Sequence, residues 1–226
     1  MGDMTSRNAL LVLTSHDDLG GVRKTGYFVG EAAHPWKVFT DAGWNVDIVS
    51  IAGGVPPEDG RDEDDAVQVE FLENEAVTKQ LANTRRLSEV SATDYDTVYF
   101  VGGHGTMWDF PNDPSVAAVG RTIYENDGVV AAVCHGPSAL AGITLSSGRS
   151  IVAGKKVAAF TNAEEEAAGL TDAVPFLLET RLTELGATVE TGPNFTENVV
   201  VDGRLVTGQN PQSAAGVARE VVESLH

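Results

Sequence analysis

The 226-residue chain carries 33 acidic against 15 basic side chains, a formal net charge of −18, and is 42% hydrophobic. The acid excess would repel nucleic-acid phosphates, and the apolar content suits a packed core rather than a disordered chain. A single cysteine excludes an intrachain disulfide and a cysteine-rich zinc cage, no apolar run nears the roughly 18 residues of a membrane span, and the amino-terminal stretch lacks the features of a signal peptide, so a soluble, cytoplasmic chain with a reduced thiol is expected.

In chain order, "NALLVLTS" (Asn8 to Ser15) reads as a buried strand. A helix over Pro35 to Ala42 stops at Gly43, and "NVDIVSIAG" follows as a second strand. Pro56 to Asp65 is an acidic, proline-rich surface loop without calcium-loop spacing. Ala66 to Asn83 reads as an exposed helix, and Tyr95 to Gly103 as a third strand ending in glycines. Pro114 to Asn126 is a helix and "GVVAAV" a fourth strand; helix signals follow Cys134, and "KKVAAF" is a further strand. Thr171 to Leu185 is a helix, "ATVET" a short strand, and "NVVVDGRLVTG" a hairpin with Asp202-Gly203 as a type I′ turn. Gln212 to Leu225 closes the chain as a helix. Alternating strands and helices with continuously apolar strands predict one α/β domain over residues 1–226, layered around a mostly parallel sheet. Ligands in such sheets bind at the carboxyl ends of strands. Three strand ends there are polar or glycine-rich: "GGHG", "CHGP" and "TNAEEE".

Cys134 stands where the fourth strand turns into the next element, as in a nucleophile elbow. A helix start beyond it would lower the thiol pKa and favour a thiolate; the plainer alternative is a buried cysteine acting as a small hydrophobe. His135 is the adjacent candidate base, against a solvent-facing helix start. One of Glu164, Glu165 and Glu166 is the candidate carboxylate to orient it, the others simply charging a first helical turn. Glu31 lies among apolar and aromatic residues, where burial would raise its pKa and let it shuttle a proton. "GGHG" beside the elbow offers backbone N–H groups near Gly103 for an oxyanion. His104 is equally readable as structural or substrate-facing, and Trp108 and Phe110 as core or pocket wall. His16 has no partner at ligand spacing, so no metal site is expected.

"AAVCHGP", "GGHGTMWDFP", "KTGYFVGEAAHPW", "AFTNAEEE" and "DGRLVTGQNPQSA" together resemble the ThiJ/PfpI superfamily, and within it the glyoxalase III and heat-shock-chaperone branch. The resemblance implies a flavodoxin-like sandwich and a homodimer. It puts the catalytic cysteine on Cys134, its histidine on His135, the buried glutamate on Glu31 and the third acid on Glu165. It also implies glutathione-independent conversion of methylglyoxal to lactate through a hemithioacetal, without a cofactor, with glycated adducts as related substrates. The related glutamine amidotransferases need a late His-x-Glu pair, and the only histidine after His135 is His226. A holdase chaperone with a redox-sensing thiol, and a small peptidase or esterase, are the competing expectations.

Overall fold

β1 (Asn8–Leu13) is apolar along nearly its whole length because both of its faces are covered. Ala9, Leu11 and Leu13 point into one core cluster, Leu10 and Val12 into the other, the period-two alternation of a strand between two layers. The computed structural model describes residues 6–225; residues 1–5, at the start of the expected domain, and His226 lie outside the described residues.

β1 pairs in parallel with β2 (Asn45–Ser50) on one side and β4 (Thr97–Phe100) on the other. β2 continues to the two-residue β3 (Arg85–Arg86), and β4 to β5 (Val129–Val133). Beyond β5 lies β7 (Leu205–Gly208), parallel, and then β6 (Val199–Asp202), the one antiparallel strand. The seven-stranded order is β6-β7-β5-β4-β1-β2-β3. On one face pack α1 (Val29–Asp41), α2 (Ala66–Glu73), α3 (Glu75–Leu81) and α7 (Ala214–Ser224); on the other, α4 (Pro114–Glu125), the 3₁₀ segment Gly136–Gly142 and α6 (Leu178–Glu184). This is the expected flavodoxin-like sandwich, and no helix among the described residues is long and apolar enough to cross a membrane.

Several local expectations change. α1 begins six residues before Pro35, which sits inside the helix and, lacking an N–H, leaves the Glu31 carbonyl without that donor. The span from Ala66 to Asn83 is two helices, split at Asn74, whose side chain accepts from the N–H groups of Ala76 and Val77. Only Leu178–Glu184 of the Thr171–Leu185 stretch is helical. "KKVAAF" contributes only Lys156–Val157, paired with Thr188–Val189 outside the main sheet. The hairpin turns on Gly203 (φ +62°) and Arg204, with Asp202 already paired to Leu205; Arg204 has no positive φ, which excludes type I′ and fits the turn with glycine first. The acidic loop is not wholly solvated: Glu58–Asp59 pairs with Tyr27–Phe28, and Asp59 binds Arg23 at 2.7 Å.

Candidate active site

The sheet positions the site through two loops, one leaving β4 and one leaving β5. After β4 come Gly102, Gly103 and His104. Gly102 has to lack a side chain: a Cβ there would stand 2.1 Å from Glu31 Oε2 and 2.6 Å from the Val133 carbonyl. After β5 comes Cys134 at φ +58°, a left-handed backbone that is sterically costly for a residue with a Cβ. Its N–H donates to the Gly208 carbonyl and its carbonyl accepts from Phe160 N–H, both at 2.9 Å, so neighbouring segments hold the turn in place. The Thr106 hydroxyl lies 2.9 Å from the Gly103 carbonyl and 3.0 Å from that of His135, tying the two loops together.

Around the sulfur the groups form a chain. Cys134 Sγ is 3.4 Å from His135 Nδ1, and His135 Nε2 is 2.7 Å from Glu165 Oε2. The other carboxylate oxygen, Oε1, lies 2.7 Å from His104 Nε2. With Nε2–H donating to Glu165, the His135 Nδ1 is left as an acceptor facing the thiol. Burial, then the His104 ring, push the His135 pKa down to about 4 against the pull of Glu165, so the imidazole is neutral. Burial alone would raise Glu165, but hydrogen bonds from His104 and His135 outweigh it and hold the carboxyl near about 2. Glu31 is wholly buried, neither oxygen has a partner of good hydrogen-bond geometry, and burial pushes it up to about 8, with Cys134 and the Gly102 N–H pulling weakly back. It is therefore mostly protonated at neutral pH.

The thiol departs from expectation. Cys134 is 4% exposed, and burial above all pushes its pKa up rather than down, with Glu31 adding to the rise wherever it ionises; only the His135 N–H acts the other way among the larger influences. The next element is a seven-residue 3₁₀ segment, not the α-helix whose dipole was to favour the thiolate. The group placed to accept the thiol proton is His135, whose Nδ1 lies 3.4 Å from the sulfur.

Cys134, His135, Glu31, Gly103 and His104 all line one cavity of about 350 Å³, together with Arg23, Phe28, Asp59, Phe160 and Phe195. Glu165 stands behind the two histidines. Of its neighbours, Glu164 closes a capping box with Thr161 at the start of α5 (Asn162–Ala167), and Glu166 is exposed. Trp108 and Phe110 are not in the cavity wall. Trp108 stacks on His16 at 4.9 Å, and Phe110 is buried against Phe100 on the opposite face of the sheet; the one-turn helix Thr106–Asp109 carries "MWDF" away from the sulfur. The sequence reading missed the His104–Glu165 bond, 61 positions apart, and the wall residues Phe28, Phe160 and Phe195. His104, His135 and Glu165 each bring a ligand atom within 4.8 Å of the others, a spacing that could hold a metal ion, but both Nε2 atoms are committed to Glu165 and the set reads as a hydrogen-bonded relay.

A thiol on a strained strand-to-loop turn, backed by an imidazole and a buried acid, thus sits at the carboxyl edge of a parallel sheet in an α/β sandwich. The chain belongs to the DJ-1/PfpI family, whose model matches residues 26–224. It is 35% identical to the "Glutathione-independent glyoxalase HSP31" of Saccharomyces cerevisiae, over 98% of this chain and 99% of that one. Among solved structures it superposes with a TM-score of 0.94 on the Rapid Encystment Protein 24 kDa of Francisella tularensis, at 39% identity over 97% of this chain and 99% of that one. With glyoxalase III from Candida albicans the TM-score is 0.87, at 31% identity over 96% and 97% of the two chains.

Proposed function

We propose that the protein is a glutathione-independent glyoxalase that converts methylglyoxal to lactate, with Cys134 as nucleophile. The observation that carries this is the pair of differently placed acids around one thiol: Glu165, bonded at 2.7 Å to both histidines, and Glu31, wholly buried without a partner for either oxygen, surroundings that favour ionisation of the first and protonation of the second. Two carboxyls held at opposite protonation states suit a reaction that must both stabilise a cation and move a proton.

His135 Nδ1 takes the thiol proton as sulfur attacks the aldehyde carbon, and Glu165 stabilises the resulting imidazolium. Glu31 gives its proton to the aldehyde oxygen, with the N–H groups near Gly103 and of His135 as donors to the developing charge. The hemithioacetal now faces a Glu31 carboxylate, a strong base for its class because burial disfavours its charge. That carboxylate removes the hydrogen from the aldehyde carbon and returns it to the neighbouring carbonyl carbon through an enediol. One carbon rises an oxidation level as the other falls, so the step is internally balanced. Water then cleaves the thioester, releasing lactate and restoring the thiol. Related deglycation and a homodimer belong to the same reading and rest on the family resemblance; a cytoplasmic site of action rests on the composition, with its single cysteine expected to be reduced. The holdase alternative draws little support, since the exposed large apolar side chains among the described residues are four: Val22, Val55, Phe195 and Val201.

The test is lactate formation from methylglyoxal in buffer free of glutathione. Stoichiometric lactate that disappears in Cys134→Ala is expected. No lactate above that variant, with the fold intact by circular dichroism, would overturn the reading.

A further inference from the structure

The cavity that holds Cys134 is lined by three phenylalanine rings as well as by Arg23, Asp59 and Gln212. Phe28, Phe160 and Phe195 line it, with Pro211 beside them. Phe195 is unusual on two counts. It is one of the few large apolar side chains left in solvent, 45% exposed, and its φ is +54°, a region that a bulky residue enters only against steric cost. Such a conformation persists where the surroundings impose it. Here they do: Phe195 N–H donates to Glu164 Oε1 at 2.8 Å, and Asn210 Nδ2 reaches the same oxygen at 2.9 Å and the Thr196 carbonyl at 2.7 Å. Glu164 and Asn210 are both fully buried. Two buried polar side chains are thus committed to holding an exposed phenyl ring at the cavity. Its centroid is 6.2 Å from that of Phe160, which packs on the His135 ring at 4.3 Å. Aromatic surface runs without a break from solvent to the imidazole beside the thiol.

The volume points the same way. About 350 Å³ is the liquid-volume share of roughly a dozen waters, and a three-carbon dicarbonyl fills only a fraction of it. We propose that Phe195, with Phe28 and Phe160, recognises the substituent on the ketone carbon of a 2-oxoaldehyde, and that the preferred substrates carry an aromatic or bulky apolar group there. This rests on the reading of Cys134 as the nucleophile for such aldehydes. The chemistry is unchanged: sulfur bonds to the aldehyde carbon, its hydrogen moves to the ketone carbon, and water cleaves the thioester to the 2-hydroxy acid. An aryl substituent would stack against the rings and leave water, contacts a methyl group cannot make.

The experiment compares kcat/KM for phenylglyoxal and methylglyoxal in wild type, Phe195→Ala, Phe195→Gly and Phe195→Tyr. Glycine tolerates the left-handed φ, which guards against misfolding. The phenyl-to-methyl ratio should exceed unity in wild type, fall roughly tenfold in the alanine and glycine variants, as for other lost apolar wall contacts, and recover in tyrosine. A wild-type ratio at or below unity, or a ratio indifferent to Phe195→Ala, overturns the proposal. Alkylation of Cys134 by 2-bromoacetophenone and by bromoacetone, each rate divided by that with free cysteine, reads the same wall without turnover. If neither aldehyde is consumed, the glyoxalase reading fails, and the alkylation ratio still decides the wall: a preference for the aryl reagent lost in Phe195→Ala supports it, and equal ratios overturn it.

Discussion

At the residue scale, three consecutive glutamates have three different environments, and a one-atom change at each should read differently. Glu165 bonds both histidines, Glu164 caps α5 and anchors the Phe195 loop, and Glu166 faces solvent. Glu165→Gln should lower kcat by about 10²-fold or more, since an amide cannot stabilise the imidazolium that forms on His135. Glu164→Gln should act mainly on KM, and Glu166→Gln on neither. Steady-state kinetics of the three variants decides this; equal losses would mean that the segment supplies only bulk negative charge. Cys134→Ser should cost at least about 10³-fold in methylglyoxal turnover, because a neutral imidazole held down to about 4 is too weak a base for a hydroxyl. Retention of activity within tenfold would remove the covalent mechanism.

At the element scale, the decisive feature is the turn leaving β5. Its left-handed φ at Cys134 costs a residue with a Cβ on the order of 1 kcal/mol, which glycine escapes. Cys134→Gly should therefore unfold at higher urea concentration than Cys134→Ala, by about 1 kcal/mol, the reverse of the usual order of glycine and alanine. Alanine the more stable would show that the turn is not strained. The turn was legible in "AVCHGP", because the thiol, the imidazole and the tight turn are neighbours in sequence. The continuous strands were legible too, since burial on both faces removes polar residues from them. What could not be read locally was set by tertiary packing. Pro35 looks like a helix start, yet α1 begins at Val29. Asn74 caps one helix against another inside what reads as a single periodic run. The aromatic wall depends on the Glu164 and Asn210 side chains, 46 positions apart, meeting under a loop with no periodicity of its own.

At the scale of the whole molecule, the site is bought with stability, and Glu31 is where the exchange is measurable. Its carboxyl rises from 4.5 to about 8 on folding because the fold buries it completely. Between those values the unfolded chain has released the proton and the folded chain keeps it. The unfolded state then binds fewer protons, so stability falls as pH rises across that window and levels off above about 8. The contribution is fully favourable only below about 4.5, and the accumulated loss is on the order of a few kcal/mol. Glu31→Gln removes the titration while keeping the shape. A buried amide without partners brings its own cost, but that cost does not vary with pH, so the comparison lies in slopes rather than in absolute values. Urea unfolding of wild type and Glu31→Gln at pH 5, 6.5 and 8 should show the wild type losing ground to the variant at each step, while methylglyoxal turnover by the variant collapses because its amide can neither release nor regain a proton. A stability difference that stays flat from pH 5 to 8 would mean that Glu31 is ionised in the folded protein, and the proton shuttle would then have to be His135 alone.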